Sequence, residues 1–233
     1  DRVPPPYPLG QFPSRFGLSI GRQIIYLIAT KPTPTIQGSE WEQVFARAIG
    51  AEWAPSNVGL DDVVLDNCAW GAKTVTNNRP WTCNNVRLIS GRNSPVYSYG
   101  DDISTTAPPE EVGRQIIGIW NARVESVLAK HAHLRTVVLI KGRDLLELSV
   151  FEFETVRYQP EIYTWSWNDR GNLEGHRDGE HYFTWQPHGS QFTIKQRVPE
   201  NRLKIRLKQP ERITEAAYLE AIGYDDSWVE IVD

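Results

Sequence analysis

A long amphipathic segment between strand-like segments is the feature that most constrains the fold. Residues 110–131 repeat apolar side chains at helical spacing, which predicts a helix with one buried face. The apolar stripe consists of Val112, Ile116, Trp120, Val124, Val127 and Leu128. Glu110 and Glu111 lie at the positive end of the helix dipole, where carboxylates are favoured. A helix of this length placed between strands predicts an α/β fold.

The segments around this helix extend the α/β pattern. A first helix is predicted over 39–49, and three strand-like segments over 62–67, 72–76 and 85–90 follow it. Two buried strands, over 135–141 and 145–155, follow the long helix. Residues 20–30 are apolar, but their periodicity does not decide between helix and strand. The order helix, three strands, helix, strand predicts a mixed sheet flanked by helices.

A β-rich region follows this core. From about 157 to 208, turn-forming residues separate short alternating segments, which predicts β-hairpins. A last helix is predicted over 211–222, ended by Gly223. The expected organisation is an N-terminal arm and core over 1–156 and a hairpin region with a C-terminal helix over 157–233. The two parts are expected to form one compact domain.

Composition narrows the classes of function. The net charge of −4 argues against binding nucleic acid through bulk electrostatics alone, although a local basic cleft is compatible with it. The sequence has no apolar run near the roughly 18 residues of a membrane span, and its proline-rich start lacks the pattern of a signal peptide. Cys68 and Cys83 are expected to be reduced thiols in a cytoplasmic protein, with a bridge between them as the alternative.

Acidic residues and a lysine lie close together in the segment 59–73, GLDDVVLDNCAWGAK. Asp62 starts one predicted strand, and Lys73 lies on the next. Two antiparallel strands joined by a turn can bring a carboxylate and an ammonium to the same end of a sheet. Hydrolysis of a phosphodiester uses a divalent metal, carboxylates that hold it, and a group that orients the attacking water. Mg²⁺ needs only one or two carboxylates, so this pattern is sufficient for such a site.

In its helix–strand–strand–strand–helix–strand setting, this segment resembles the PD-(D/E)XK nuclease superfamily, to which most type II restriction endonucleases belong. The resemblance covers about residues 39–141. Asp62 matches the acidic residue that begins the second core strand of that family, and Lys73 matches the lysine of the carboxylate-x-lysine motif on the third. Gly71 departs from the family pattern, because a carboxylate is expected two residues before the lysine.

The resemblance implies that another carboxylate fills the place left by Gly71. The candidates are Glu42, Asp61 and Asp66. Glu42 lies on the predicted helix before the strands, where family members often carry a glutamate. Glu42 also stands three residues after Ser39, which is the spacing of a capping box, and one rotamer cannot easily serve both roles. Asp66, before Asn67, is the pattern of a turn.

The resemblance therefore implies an Mg²⁺-dependent, sequence-specific endonuclease that cuts double-stranded DNA and acts as a homodimer. The expected catalytic residues are Asp62, Lys73 and Glu42, and the expected metal ligands are Asp62, Glu42 and Asp61. Side chains suited to base edges lie in the hairpin region. They are Arg170, Arg177, Gln186, His188, Gln191, Lys195 and Arg197. Contacts to the DNA backbone are expected from Arg202, Lys204, Arg206 and Lys208, which also fit a half-buried strand.

Two alternatives remain open at this point. Asp144, Glu152 and Glu154 form a second acidic cluster, similar to a variant of the superfamily in which glutamate replaces the lysine, although a solvated strand face is the favoured interpretation. The alternative function is a non-enzymatic β-rich module that binds glycans or nucleic acid through aromatic side chains. Those side chains are Tyr163, Trp165, Trp167, Tyr182, Phe183 and Trp185. Their alternation also fits a buried core.

Overall fold

The computed structural model describes residues 3–54, 59–92 and 105–232, with backbone alone at Gly91 and Arg92. The helices of these residues are α1 (Phe16–Thr30), α2 (Gly38–Ile49), α3 (Pro109–Leu128) and α4 (Glu215–Ala221). The strands are β1 (Glu52–Trp53), β2 (Val63–Leu65), β3 (Cys68–Thr76), β4 (Asn85–Arg92), β5 (His133–Lys141), β6 (Glu147–Glu154), β7 (Thr164–Trp167), β8 (Leu173–Arg177), β9 (Glu180–Gln186), β10 (Gln191–Arg197) and β11 (Leu203–Arg206).

The first sheet is mixed and has the order β1-β2-β3-β5-β6-β11. Strands β1, β2 and β3 form an antiparallel meander, and β5 pairs with β3 in parallel. A parallel neighbour requires a crossover connection, which contains α3. Helices α1 and α2 pack on one face of this sheet through a core that includes Trp41, Phe45 and Trp70. This arrangement confirms the predicted α/β class.

The second sheet is antiparallel and has the order β4-β10-β9-β8-β7. Its strands β7 to β10 are the hairpins predicted from the turn signals. The apolar stripe of α3 packs against this sheet, where Trp120 and Phe192 belong to one buried cluster. Gly113 permits the close approach of α3 to the second sheet. A Cβ atom built at this residue would lie 2.3 Å from the ring of Trp165.

Two strands cross the predicted boundary at residue 157. Strand β4, predicted as the third strand of the core, pairs with β10 in the second sheet. Strand β11, from the hairpin region, pairs with β6 in the first sheet. The boundary between 156 and 157 therefore does not separate the two sheets.

Three local features differ from the sequence-based expectations or complete them. The apolar residues 20–30 belong to helix α1, and the short strand β1 was not predicted.

The capping box predicted at Ser39 and Glu42 is wrong. Helix α2 begins one residue earlier, at Gly38, and the carboxylate of Glu40 accepts a hydrogen bond of 2.8 Å from the backbone N–H of Gln37. Glu42 is therefore not used as a cap.

The described helices were also compared with the requirements of a membrane span. None of them is both long enough and apolar enough to cross a bilayer.

Candidate active site

Asp62 lies directly before β2, which is the middle strand of the antiparallel meander. Its side chain is buried, with 4% exposure, and its carboxylate accepts a hydrogen bond of 3.4 Å from the backbone N–H of Ala72 on β3. Strands β2 and β3 are connected by a tight turn in which Asp66 has a φ of 52°. The meander therefore presents one carboxylate to the neighbouring strand at a fixed position.

Lys73 lies on β3, on the same face of the strand as Gly71, since side chains two residues apart share a face. Its ammonium donates a hydrogen bond of 3.2 Å to the backbone carbonyl of Gly59. Burial lowers the pKa of Lys73, the carboxylate of Asp62 raises it, and the guanidinium of Arg123 lowers it further. In Lys73, burial and Arg123 thus favour the neutral amine, whereas Asp62 favours the ammonium.

The charged groups around Asp62 are close enough to influence its ionisation. Burial raises the pKa of Asp62 to about 6, and the ammonium of Lys73 opposes this shift. The carboxylates of Glu42 and Asp61 raise the pKa further. Asp62, Lys73, Glu42 and Asp61, the catalytic and metal-binding residues predicted from the sequence, therefore lie near enough for their charges to influence Asp62.

The space around Gly71 is tight for the carboxylate expected from the resemblance to the PD-(D/E)XK pattern. A Cβ atom built at this position would lie 3.2 Å from the carbonyl oxygen of Gly59 and 3.3 Å from the Cα of Leu60. The backbone of the loop before Asp61 thus occupies the space in which a side chain would lie. This packing gives a structural reason for the glycine in the motif.

The remaining carboxylates differ in their suitability as metal ligands. Glu42, on α2, accepts a hydrogen bond of 3.0 Å from the indole N–H of Trp53. Asp61 is partly buried beside Asp62. Asp66 is exposed in the turn at the far end of β2, about 13 Å along the strand from Asp62, so it is not a replacement carboxylate.

The donor set was compared with the requirements of a divalent metal. Among the described residues, no three His, Cys, Asp or Glu side chains are grouped closely enough to enclose an ion by themselves. Mg²⁺ takes one or two carboxylates and keeps several water ligands, so a site built on Asp62 and one neighbour fits this ion. Burial is the main cause of the raised pKa of Asp62, and a cation would relieve the added repulsion from Glu42 and Asp61.

Arg123 is part of the site, although the sequence analysis did not identify it. It lies on α3, is buried with 6% exposure, and donates a hydrogen bond of 2.6 Å to the backbone carbonyl of Ser90 on β4. Its guanidinium is also close to Gly59, because the Nη2 atom of Arg123 lies 3.8 Å from a Cβ atom built on that glycine. The signal in the sequence was a cation within the apolar face of the long helix, next to Val124.

The residues predicted to contact DNA bases fall into two groups at opposite ends of the second sheet. The end that holds the turns after β7 and β9 contains Arg170, Gln186, His188 and Gln191. Gln191 pairs with Arg92 at the end of β4, two residues beyond the Ser90 carbonyl that holds Arg123. This group therefore lies at the end of the sheet that adjoins the candidate site.

The other group lies at the far end of the second sheet, and two of its three members form ion pairs. Arg177 pairs with Asp178 at 3.3 Å, and Lys195 pairs with Glu180 at 3.5 Å. Arg197 ends β10 near them. The structure thus does not bring all seven predicted residues to one surface.

The four basic residues expected at the DNA backbone differ in environment. Arg202 is buried and donates a hydrogen bond of 3.0 Å to the carbonyl of Pro199, so it supports the fold. Arg206 lies over the ring of Trp81 at 4.5 Å and pairs with Glu147 at 3.4 Å. Lys204 and Lys208 are exposed at the edge of the first sheet.

The second acidic cluster has a structural role. Glu152 is buried, so the expected solvated strand face is wrong at this residue. Its carboxylate accepts hydrogen bonds from the indole of Trp70 at 2.9 Å and the backbone N–H of Gly10 at 2.8 Å, and pairs with Arg135 at 3.2 Å. Asp144 caps a turn by accepting from the N–H of Leu146. Glu152 therefore holds the N-terminal arm on the first sheet.

The aromatic side chains proposed as a binding platform form a core instead. Trp165, Phe183 and Trp185 are 4%, 0% and 2% exposed, and they pack beneath α3. Tyr163 belongs to the same buried cluster, with Trp167 and Tyr182 packed against it. The core interpretation is confirmed for Tyr163, Trp165, Phe183 and Trp185, whereas Trp167 and Tyr182 are half-buried at its border.

The chain was also compared with known proteins. No protein-family model, no curated protein and no solved structure matches it. The geometry of the site therefore carries the functional argument.

Proposed function

We propose that this protein is a Mg²⁺-dependent endonuclease that cuts double-stranded DNA at a specific sequence, acts as a homodimer and works in the cytoplasm. The observation that carries the proposal is the position of Asp62 directly before β2 and of Lys73 on the neighbouring strand β3, with the Asp62 carboxylate hydrogen-bonded to the backbone N–H next to Lys73. Strand β1 supplies the first strand of the meander, so Asp62 precedes the second strand and Lys73 lies on the third. The elements α2, β1 to β3, α3 and β5 then follow the order of the PD-(D/E)XK core, with β4 inserted between β3 and α3.

Asp62 is the main metal ligand of this proposal, and Glu42 or Asp61 supplies a second carboxylate. When bound, Mg²⁺ polarises the phosphodiester and balances the charge that develops on it. The pKa of Asp62, about 6, leaves its carboxylate ionised above neutral pH and ready to bind a cation. Breaking the hydrogen bond from Trp53 would release Glu42 for this role.

Lys73 orients the attacking water and receives its proton in this proposal. A lysine acts as a base only in its neutral form, and burial favours that form by lowering the pKa. The hydrogen bond to Gly59 fixes the direction of the amine. The same residue balances the negative charge of the phosphate while it is protonated.

DNA recognition is assigned to the end of the second sheet that adjoins the site. Gln186, Gln191 and Arg170 offer amide and guanidinium groups that match base edges in the major groove, and His188 is exposed in the turn between β9 and β10. Arg123 connects this end of the sheet to the loop that covers Lys73. Base recognition and phosphate cleavage would then occur on adjoining surfaces.

The test is cleavage of plasmid and long genomic DNA in Mg²⁺, with EDTA as the negative control. Discrete fragments in Mg²⁺ alone are expected. Asp62→Ala and Lys73→Ala are expected to abolish cleavage and to retain binding to the cleaved sequence in Ca²⁺. Lys130→Ala, which changes an exposed lysine after α3, is the matched control and should cut like the wild type. Intact DNA with the folded wild-type protein, or normal cleavage by either site variant, would refute the assignment.

A homodimer is part of the proposal because a double-strand cut breaks two phosphodiesters and one site of this size holds one. Two-fold symmetry of the protein matches a palindromic DNA sequence with a single surface patch. Sedimentation of the protein bound to its DNA site tests this point directly. One subunit per duplex would contradict it.

A further inference from the structure

Residues 209–232, here called the acidic segment, expose an unusual amount of apolar surface. Helix α4 within it buries no residue. Seven of the sixteen exposed large apolar side chains of the described residues belong to this segment. They are Ile213, Tyr218, Ile222, Trp228, Val229, Ile231 and Val232. Several large apolar side chains exposed within one short segment are typical of an interaction site.

The charge of the acidic segment differs from that of the rest of the chain. It holds six acidic residues and one basic residue, Arg212, whereas residues 1–208 carry a net charge of +2. Arg212 is engaged, since its guanidinium donates to the carbonyls of Lys31 at 2.7 Å and Pro32 at 2.6 Å. The segment thus offers a mixture of apolar and negatively charged groups, and its partner surface should be basic and partly apolar.

Strand β11 provides the basic part of such a surface. It is the last strand of the first sheet, with only β6 beside it among the described strands, so its outer backbone groups are available for pairing. Leu203 and Ile205 are directed towards α1, whereas Lys204 and Arg206 are exposed on the other side. Lys208 continues the basic row.

We propose that the acidic segment of one copy of this chain docks on strand β11 of a second copy, reciprocally, to form a two-fold dimer. The charges favour this arrangement over a contact between two acidic segments, which would place like charges together. A segment of 24 residues matches the 20 to 30 residues that each partner contributes to a stable interface of ordinary size. Two reciprocal contacts close the assembly under two-fold symmetry.

This inference rests on the homodimer of the proposed function but is independent of the cleavage chemistry. The cations of β11 were also candidates for contacts with the DNA backbone, and the two roles predict different measurements. If β11 is a docking site, reversing its charge weakens self-association of the protein in the absence of DNA. If β11 contacts phosphates, the same change lowers DNA affinity and leaves self-association unchanged.

The test is sedimentation velocity of the full chain at low salt, without DNA or metal. The wild type is expected to be a dimer. The paired change Lys204→Glu with Lys208→Glu, and separately Glu220→Lys with Glu230→Lys, should each raise the dimer Kd by about tenfold or more. Combining the four changes should recover most of the lost affinity. Lys130→Glu, at an exposed site outside both surfaces, should leave the dimer intact.

Three outcomes would overturn the inference. One is a wild-type protein that stays monomeric up to about 100 µM, well above the Kd of specific interfaces. Another is a dimer that neither charge reversal weakens, and the third is a loss of DNA affinity with unchanged self-association. A monomer that still cuts DNA would refute the interface and leave the endonuclease standing. A dimer that the charge reversals weaken, but that cuts no DNA, would support the interface and refute the endonuclease.

Discussion

The ammonium of Lys73 donates a hydrogen bond of 3.2 Å to the backbone carbonyl of Gly59, beside the space that Gly71 leaves without a side chain. Gly59 has a φ of 66°, a left-handed conformation that glycine adopts without strain. The loop thus aims its carbonyl at the lysine, and the absence of a Cβ at residue 71 lets the loop come close. The glycine at residue 71, where the PD-(D/E)XK pattern has a carboxylate, and the position of the lysine are therefore explained by the same packing.

Replacing Gly71 tests this relationship. Gly71→Ala should lower the free energy of unfolding by about 1–3 kcal/mol, because the new Cβ overpacks against the backbone of Gly59 and Leu60. Gly71→Asp restores the family motif in sequence but should be at least as destabilising and should not raise cleavage. Urea unfolding measures the change. Gly118→Ala, on α3 with no atom near the added Cβ, is the control and should be neutral or stabilising by up to about 1 kcal/mol.

Neutralising Asp62 should stabilise the protein above neutral pH. The folded pKa, about 6, exceeds the ordinary 3.8, so between pH 4 and 6 the folded state holds a proton that the unfolded chain has lost. Stability therefore falls as the pH rises through this window. Asp62→Asn should match the wild type below pH 4 and exceed it by about 1–3 kcal/mol at pH 8.

Thermal unfolding at pH 4 and pH 8, with and without Mg²⁺, makes this comparison. Mg²⁺ should raise the Tm of the wild type at pH 8 and not that of Asp62→Asn, because a bound ligand stabilises only the state that binds it. Equal pH dependence in the two proteins would contradict the buried, perturbed carboxylate.

Arg123 should act as a positioning residue that links DNA recognition to cleavage. Arg123→Lys loses the planar fork that contacts both Ser90 and the surroundings of Gly59. We expect DNA affinity in Ca²⁺ to change less than threefold, and single-turnover cleavage to fall about tenfold or more, the effect of misplaced reacting groups. Arg114→Lys, an exposed arginine on the same helix, is the control. Equal losses in affinity and cleavage would assign Arg123 to DNA binding instead.

The two sheets should unfold together. Gly113→Ala places a Cβ 2.3 Å from the ring of Trp165, at the contact between α3 and the second sheet. We expect a loss of about 3 kcal/mol or more, in a single transition. Within each protein, far-UV circular dichroism and tryptophan fluorescence should give the same urea midpoint. The midpoint of the variant should be lower than that of the wild type. Separate midpoints would show that the sheets fold independently.

The parts of the fold that the sequence predicted well depend on local signals. The helix α3 follows from the spacing of its apolar residues, and the hairpins β7 to β10 follow from their turns. Asp62 and Lys73 were identified because a short turn separates them, so their proximity is a consequence of local geometry. Glu42 was found through a resemblance rather than through a contact.

The parts that were missed depend on contacts between distant residues. Strand β1 has two residues, too few for a pattern. The pairing of β4 with β10 joins residues about a hundred positions apart, and nothing within β4 indicates which sheet it enters. Glu152 resembles a solvated residue in its alternating strand, and its burial depends on Arg135 and on Gly10 in the N-terminal arm. Arg123 likewise acquires its role only when α3 meets β4.

The exchange of β4 and β11 between the sheets bears on how such a protein can change its specificity. A surface contained in one continuous stretch of chain can be replaced by recombination or by grafting. Here the second sheet is assembled from residues 85–92 and 164–197, and the first sheet needs residues 203–206 to complete its edge. A transplanted recognition surface would have to carry two separate pieces and their junctions with α3. Under the proposed function, new specificity would therefore arise mainly through substitutions at the hairpin turns.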